Sequence, residues 1–365
     1  MDASTPTGPH ALRAERLRHL GAPEADLDAL VAYTASPFDL SGPLVLEDEP
    51  FVEVWESYLE RAAEDGVFSA LRSALVQLRF PVRAGMSAEP AYRLATRRGD
   101  LSGLIGPTYD GGLALVAPER IRLALHPTPA GRLPVITLPE RADFEAFVQA
   151  LTRKNEPTPL PPSMGALLVS GYNNWDRVRR YREAWEREAP PGETWKDAFA
   201  RLVPQPSRYR DRFVLLSEGP YSAVPAREVG LGPEAWQQLS HAIRLEHECA
   251  HYYCKRALGA MRYHVADEVV ADAYALAVAA GGFRPDWALR FLGIEPGESL
   301  PKPGGRMWTY CDGLSEGAVR TVVSLVRGWA AAVPSGVPAS PPERAAFVRT
   351  LAGIVAEVGR PGGCP

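Results

Sequence analysis

Hydrophobic positions along the chain follow two periods. Between residues 11 and 78 they recur every three or four positions, as on one face of a helix. Residues 11–20 read as a short helix, and a second starts at Pro23, whose fixed φ suits a first turn. In 49–78, Phe51, Val54, Trp55, Tyr58 and Leu59 fall at helical spacing, and Asp65-Gly66 breaks the segment into two helices. After Gly99 the pattern changes. Ile121-Arg122-Leu123-Ala124-Leu125 alternates as a strand does, 127–131 is a turn, and 133–138 is a second strand. A helix over 140–151 follows, then the proline-rich stretch 156–162, the most linker-like segment, which places a boundary near 160.

Beyond it come a strand at 166–170, polar-faced helices at 174–188 and 194–202, and a strand at 213–217. Gly232-Pro233 opens a long helix to Leu258, where Gly259 supplies the stop. Another helix covers 265–279 and ends at Gly281-Gly282. The chain then runs through a short helix near 287–292, a Pro- and Gly-rich loop through 305, and helices at about 315–332 and 341–358. The fold class is α+β. Three regions are expected: an α/β region over 1–160 with no assigned role, a central region over 161–300, and a helical region over 301–365 packing on it.

A length of 365 residues allows one large domain or two to three modest ones. With 40 basic and 44 acidic residues, the formal charge of −4 gives no electrostatic reason for nucleic acid or an anionic membrane as partner, and neither is expected. Met1-Asp2-Ala3-Ser4-Thr5-Pro6 is not a signal peptide, and no run of about 18 apolar residues could span a bilayer. Cys249, Cys254, Cys311 and Cys364 are too few and too scattered for a disulfide framework, and their spacing is not that of a cysteine zinc site. A reducing cytoplasm is the expected location.

The chemistry concentrates in Leu245-Glu246-His247-Glu248-Cys249-Ala250-His251. His247 and His251, four apart on a helix, present both imidazoles on one face, where they can reach one ion. Neutral imidazole suits zinc, and Glu248 then stands where a carboxylate can take a proton from an activated water. With only seven histidines in the chain, chance supplies about 0.01 such HExxH matches. A catalytic zinc normally has three protein ligands, and the best source of the third is Asp267-Glu268-Val269-Val270-Ala271-Asp272. Glu268 and Asp267 are both open to that role; Glu268 alone has an acid four positions on, at Asp272.

Taken together, His247–His251 and Glu268–Asp272 resemble the gluzincin branch of the zincin metallopeptidases, over about residues 247–272. Sixteen residues separate His251 from Glu268, a shorter connection than that branch usually has. The resemblance implies a small mixed sheet beside the active-site helices, one zinc per chain, Glu268 as third ligand, and Asp272 as the carboxylate that orients His247. It also implies that the strand ending at Ser217-Glu218-Gly219-Pro220-Tyr221 offers an edge to an extended peptide, with Tyr221 near the substrate. Tyr263 and His264, between the two helices, stand where a side chain could stabilise an oxyanion.

Other features carry less. Cys249 and Cys254 read as small core hydrophobes. The arginine- and aromatic-rich run from Asn173 to Arg182 reads as a solvated helix face, and Arg98-Gly99-Asp100 as a chance tripeptide. The expected activity is zinc-dependent hydrolysis, most simply of a peptide. The alternatives are a metal hydrolase of a small amide or ester, and a scaffold of the same type that binds or regulates without catalysis.

Overall fold

The four expected strand segments pair into one sheet. Its strands are β1 (Arg122–His126), β2 (Leu133–Leu138), β3 (Ala166–Asn173) and β4 (Arg210–Ser217), in the order β1-β2-β4-β3. β1 and β2 form an antiparallel hairpin, β4 runs parallel to β2, and β3 pairs antiparallel with β4. A bulge interrupts the last pairing between Ser170 and Tyr172, where Gly171 adopts φ +88°. This is a computed structural model, and it describes residues 8–104, 112–260 and 264–357.

Helices make up most of the rest. α1 (Pro9–His19) and α2 (Leu27–Tyr33) open the chain, followed by α3 (Val52–Asp65) and α4 (Val67–Ala74), which part at Gly66. α5 (Pro90–Arg98), α6 (Arg141–Thr152), α7 (Trp175–Glu188) and α8 (Trp195–Leu202) come next. The C-terminal third is α9 (Pro233–Ala257), α10 (Val265–Ala279), α11 (Pro285–Leu292), α12 (Met307–Tyr310), α13 (Glu316–Ala332) and α14 (Pro341–Ala356). The protein is therefore α+β, a small mixed sheet with many helices. No helix among the described residues is long and apolar enough to cross a membrane.

The chain divides into two compact units: residues 47–218, and residues 1–46 together with 219–365. The expected boundary near 160 falls inside the first of these. The proline-rich stretch there is a connection between α6 and β3, and β3 joins β4 and β2 in one sheet across it. Composition marks a loop; long-range strand pairing decides whether a loop is also a boundary.

In the sheet unit, Phe51, Trp55 and Tyr58 from α3, Leu71 from α4, and Phe144 and Phe147 from α6 close over Ile136, Leu138, Phe213 and Leu215 of the sheet. The helical face expected at 51–59 is real, with Val54 at its half-buried margin. In the helical unit, α10 is the hub, packed on α9, α11, α13 and α14. Thirteen of its residues, Val265 to Ala277, are buried. A helix apolar all round belongs in a core, yet this one carries Asp267, Glu268 and Asp272.

Candidate metal centre

Two helices of the helical unit bring the chemistry together. α9 starts at Pro233, in the first turn where a missing N–H costs nothing, and stops before Gly259, whose φ of +69° is left-handed. α10 starts at His264, whose Nδ1 accepts the Ala266 N–H at 3.2 Å and caps the helix. The caps fix the register of both helices, and their packing turns His247 and His251 of α9 toward Glu268 of α10.

The three donor atoms converge. His247 Nε2 lies 3.0 Å from His251 Nε2 and 3.5 Å from Glu268 Oε2, and His251 Nε2 lies 3.5 Å from Glu268 Oε1. Ligand atoms at zinc bond lengths around a tetrahedral centre stand about 3.3–3.6 Å apart, so the set fits a zinc ion in spacing and in its N, N, O chemistry. All three side chains are buried, at 5–7 % exposure. Burial alone would lower the pKa of His247, but Asp272 and Glu268 outweigh it and raise it to about 10. Against its own burial, Glu268 is held well below the usual carboxylate range by His247 and His251. Two buried carboxylates thus draw positive charge to this point, as a proton or as an ion.

Asp272 fixes the orientation of His247. Its Oδ1 accepts from His247 Nδ1 at 2.8 Å, which leaves Nε2 turned toward the shared centre. The same oxygen accepts from the Tyr221 hydroxyl at 2.6 Å, and that hydroxyl also lies 2.9 Å from His247 Nδ1. Arg306 donates to Asp272 Oδ2 and, at 3.2 Å, to the Tyr221 oxygen. Burial would raise the pKa of Asp272; Arg306 and His247 bring it below its ordinary value. Near Glu268, burial raises the pKa of Tyr310; Arg306 opposes this and the Glu268 and Asp272 charges add to it, so the hydroxyl stays protonated. Arg306 and Tyr310 had no sequence signal, since they lie in and beside the short helix α12 rather than in a spaced motif. The turn carrying Tyr221 is unusual: Ser222 and Ala223 both hold left-handed φ values, +50° and +57°. Such angles cost non-glycine residues energy and gather at functional sites.

Glu248 is buried on α9 and makes no hydrogen bond or ion pair among the described residues. Asp267, the alternative third ligand, does not join the cluster; its charge acts on Tyr33 and Cys254. Cys249, Cys254 and Cys311 are free and buried, and Cys364 lies outside the described residues.

Three expectations need correction or fall away. β4 is an interior strand, bonded to β2 on one side and β3 on the other, so it offers no edge to a peptide. A short apolar run identifies a strand but not its neighbours. Tyr221 is buried with its hydroxyl engaged by Asp272 and Arg306, beside the cluster. His264 serves as the α10 cap, with its ring 3.9 Å from that of Tyr33. Tyr263 lies outside the described residues.

The sequence signature of DUF7005, a family of unknown function, matches residues 15–336. The chain belongs to that family. The DUF7005 match runs through both compact units and takes in every residue of the cluster, Arg306 and Tyr310 included. No curated protein and no solved structure matches the chain.

Proposed function

We propose that the protein is a zinc-dependent hydrolase. The observation that carries this is the convergence of His247, His251 and Glu268 on one point, with the carboxylate of Glu248 unengaged on the same helix. A zinc ion held there would acidify a water toward neutral pH and polarise a carbonyl. Glu248 takes a proton from the attacking water and returns it to the leaving group. Asp272, itself held by Arg306 and Tyr221, keeps the His247 Nε2 lone pair turned inward. The Tyr310 hydroxyl, protonated beside Glu268, is a donor available to negative charge developing on a substrate oxygen.

The substrate is an amide or an ester. A peptidase remains the simplest form of this reading, by resemblance of the two helical motifs to gluzincins. Hydrolysis of a small amide or ester has its own support, because β4 lacks the free edge that an extended peptide would use.

The test is metal analysis of the purified chain and of Glu248→Gln, with both assayed on peptide and small-amide panels. About one zinc per chain in both proteins is expected, with hydrolysis in the parent only. A parent that binds no zinc at neutral pH, or a Glu248→Gln chain with full activity, would refute the proposal.

A further inference from the structure

The sheet unit has a pocket of its own, about 340 Å³, within the range of small-molecule sites. Five arginines line it: Arg79, Arg97, Arg98, Arg179 and Arg182. Asp176 is the one acid among the lining residues, and its carboxylate already accepts from Tyr58 at 3.0 Å, from Arg180 at 2.9 Å and from Arg179. The lining therefore carries more positive than negative charge, although Arg179 and Arg182 also pair with Glu183 and Glu186 on α7.

Aromatic rings line the pocket beside the arginines. Trp175 and Phe199 lie within 15° of parallel, and Trp195 sits 5.6 Å from Phe199. Trp175, Arg179 and Arg182 follow one another at helical spacing on α7, so ring and cations share one face. The wall is built in. Trp175 Nε1 donates to Thr96 O at 2.7 Å, and a Cβ at Gly99 would stand 2.5 Å from Trp175 Cε3. Gly99, with φ +67° at the end of α5, is thus required twice, once by the backbone and once by the indole lying against it. Arg79 is anchored too, donating to Arg72 O at 3.2 Å and Ser73 O at 2.9 Å. Burial and the cations of Arg179 and Arg72 lower its pKa, and the Asp176 carboxylate opposes them.

We propose that this pocket binds a nucleoside monophosphate, with the phosphate among the arginines and the base on the aromatic wall. Phosphate suits the site better than a single carboxylate. It carries nearly two charges and three acceptor oxygens, and guanidinium forks engage it in pairs. A longer nucleic acid fits less well, because Glu183 and Glu186 flank Arg179 and Arg182 and would repel further phosphates. This site is independent of the zinc reading.

Calorimetry on the full chain with AMP, GMP, CMP and UMP tests it. At least one should bind with a dissociation constant below about 100 μM. The matching nucleoside and inorganic phosphate should each bind at least about tenfold more weakly. Arg97→Gln with Arg98→Gln, both exposed, should weaken binding by about 10–100-fold at unchanged Tm; Trp195→Ala should weaken it while phosphate binding stays as it was. No binding by any of the four would overturn the proposal, as would inorganic phosphate binding as tightly as the nucleotide. Tighter binding of a single-stranded oligonucleotide would replace it with a nucleic-acid surface.

Discussion

Each unit buries a cluster of charged and polar side chains, and the two clusters are built on opposite plans. In the sheet unit, the Asp211 carboxylate accepts from Trp55 at 2.9 Å, Asn174 at 2.6 Å and Arg177 at 2.8 Å. Asn174 also donates to Tyr58, whose hydroxyl donates to Asp176, and Arg177 also donates to Arg210 O and Ser207 O. Donors and acceptors are matched, and the network is closed. Around His247 and Glu268 ligating atoms crowd one point instead: two imidazole nitrogens lie 3.0 Å apart, with a carboxylate oxygen 3.5 Å from each. A buried network that satisfies itself holds a fold together. One whose nitrogens and carboxylate oxygens converge calls for positive charge, a proton or an ion, and we take it to be a metal ion.

The sharpest way to break the contrast is to remove the imidazoles. His247→Ala with His251→Ala should weaken zinc binding on the order of 1,000-fold or more, read by competition with a chelator, and abolish hydrolysis. Near-stoichiometric zinc in that double variant would end the contrast. The closed cluster should answer differently. Asp211→Ala leaves Arg177 buried without its partner and should cost about 3–5 kcal/mol in urea unfolding, with zinc content unchanged. Loss of zinc with little loss of stability would mean that the two clusters had been assigned the wrong way round.

Smaller changes probe the support of the metal site. Asp272→Ala should lower zinc affinity or turnover by about 10–100-fold, whereas Asp267→Ala, outside the cluster, should do less. Equal, negligible effects from both would leave the HExxH pair standing and remove α10 from the site. Tyr221→Phe deletes one hydroxyl and keeps the ring packed. Its expected effect on zinc affinity is about 2–10-fold, the range of a single hydrogen bond. A larger loss would show that Tyr221 does more than brace Asp272.

What the sequence disclosed followed from periodicity. HExxH and the Glu268–Asp272 pair were legible because a helix turns spacing of four into one face, and α9 and α10 ran close to the bounds that their caps and glycines suggested. All four strands were legible, β1 by alternation and the others as short apolar runs, though β3 and β4 extend beyond the expected 166–170 and 213–217. Their order was not, because neither β4's position between β2 and β3 nor the unit boundaries leave any local trace. Arg306 reaches Asp272 from 34 residues away in the chain, through a loop rich in Pro and Gly that carries no period. Helix α5 also went unread, and with it the place of Gly99. Arg98-Gly99-Asp100 is a helix end shaped around an indole.

The division of the chain also bears on how it folds. The helical unit is made of two stretches separated by about 170 residues, so α1 and α2 cannot meet α9–α14 until the intervening unit has been synthesised. That unit closes on itself: Glu49 near its start is ion-paired with Arg212 near its end. Once folded, it tethers residues on either side of it through a short span instead of a long loose loop. By loop-closure entropy, that shortening lowers the cost of joining the two stretches by about 2–3 kcal/mol. Assembly of the helical unit would then follow that of the sheet unit, and a lesion at Asp211 is expected to lower the yield of folded helical unit without altering the His247–Glu268 cluster in the chains that do fold.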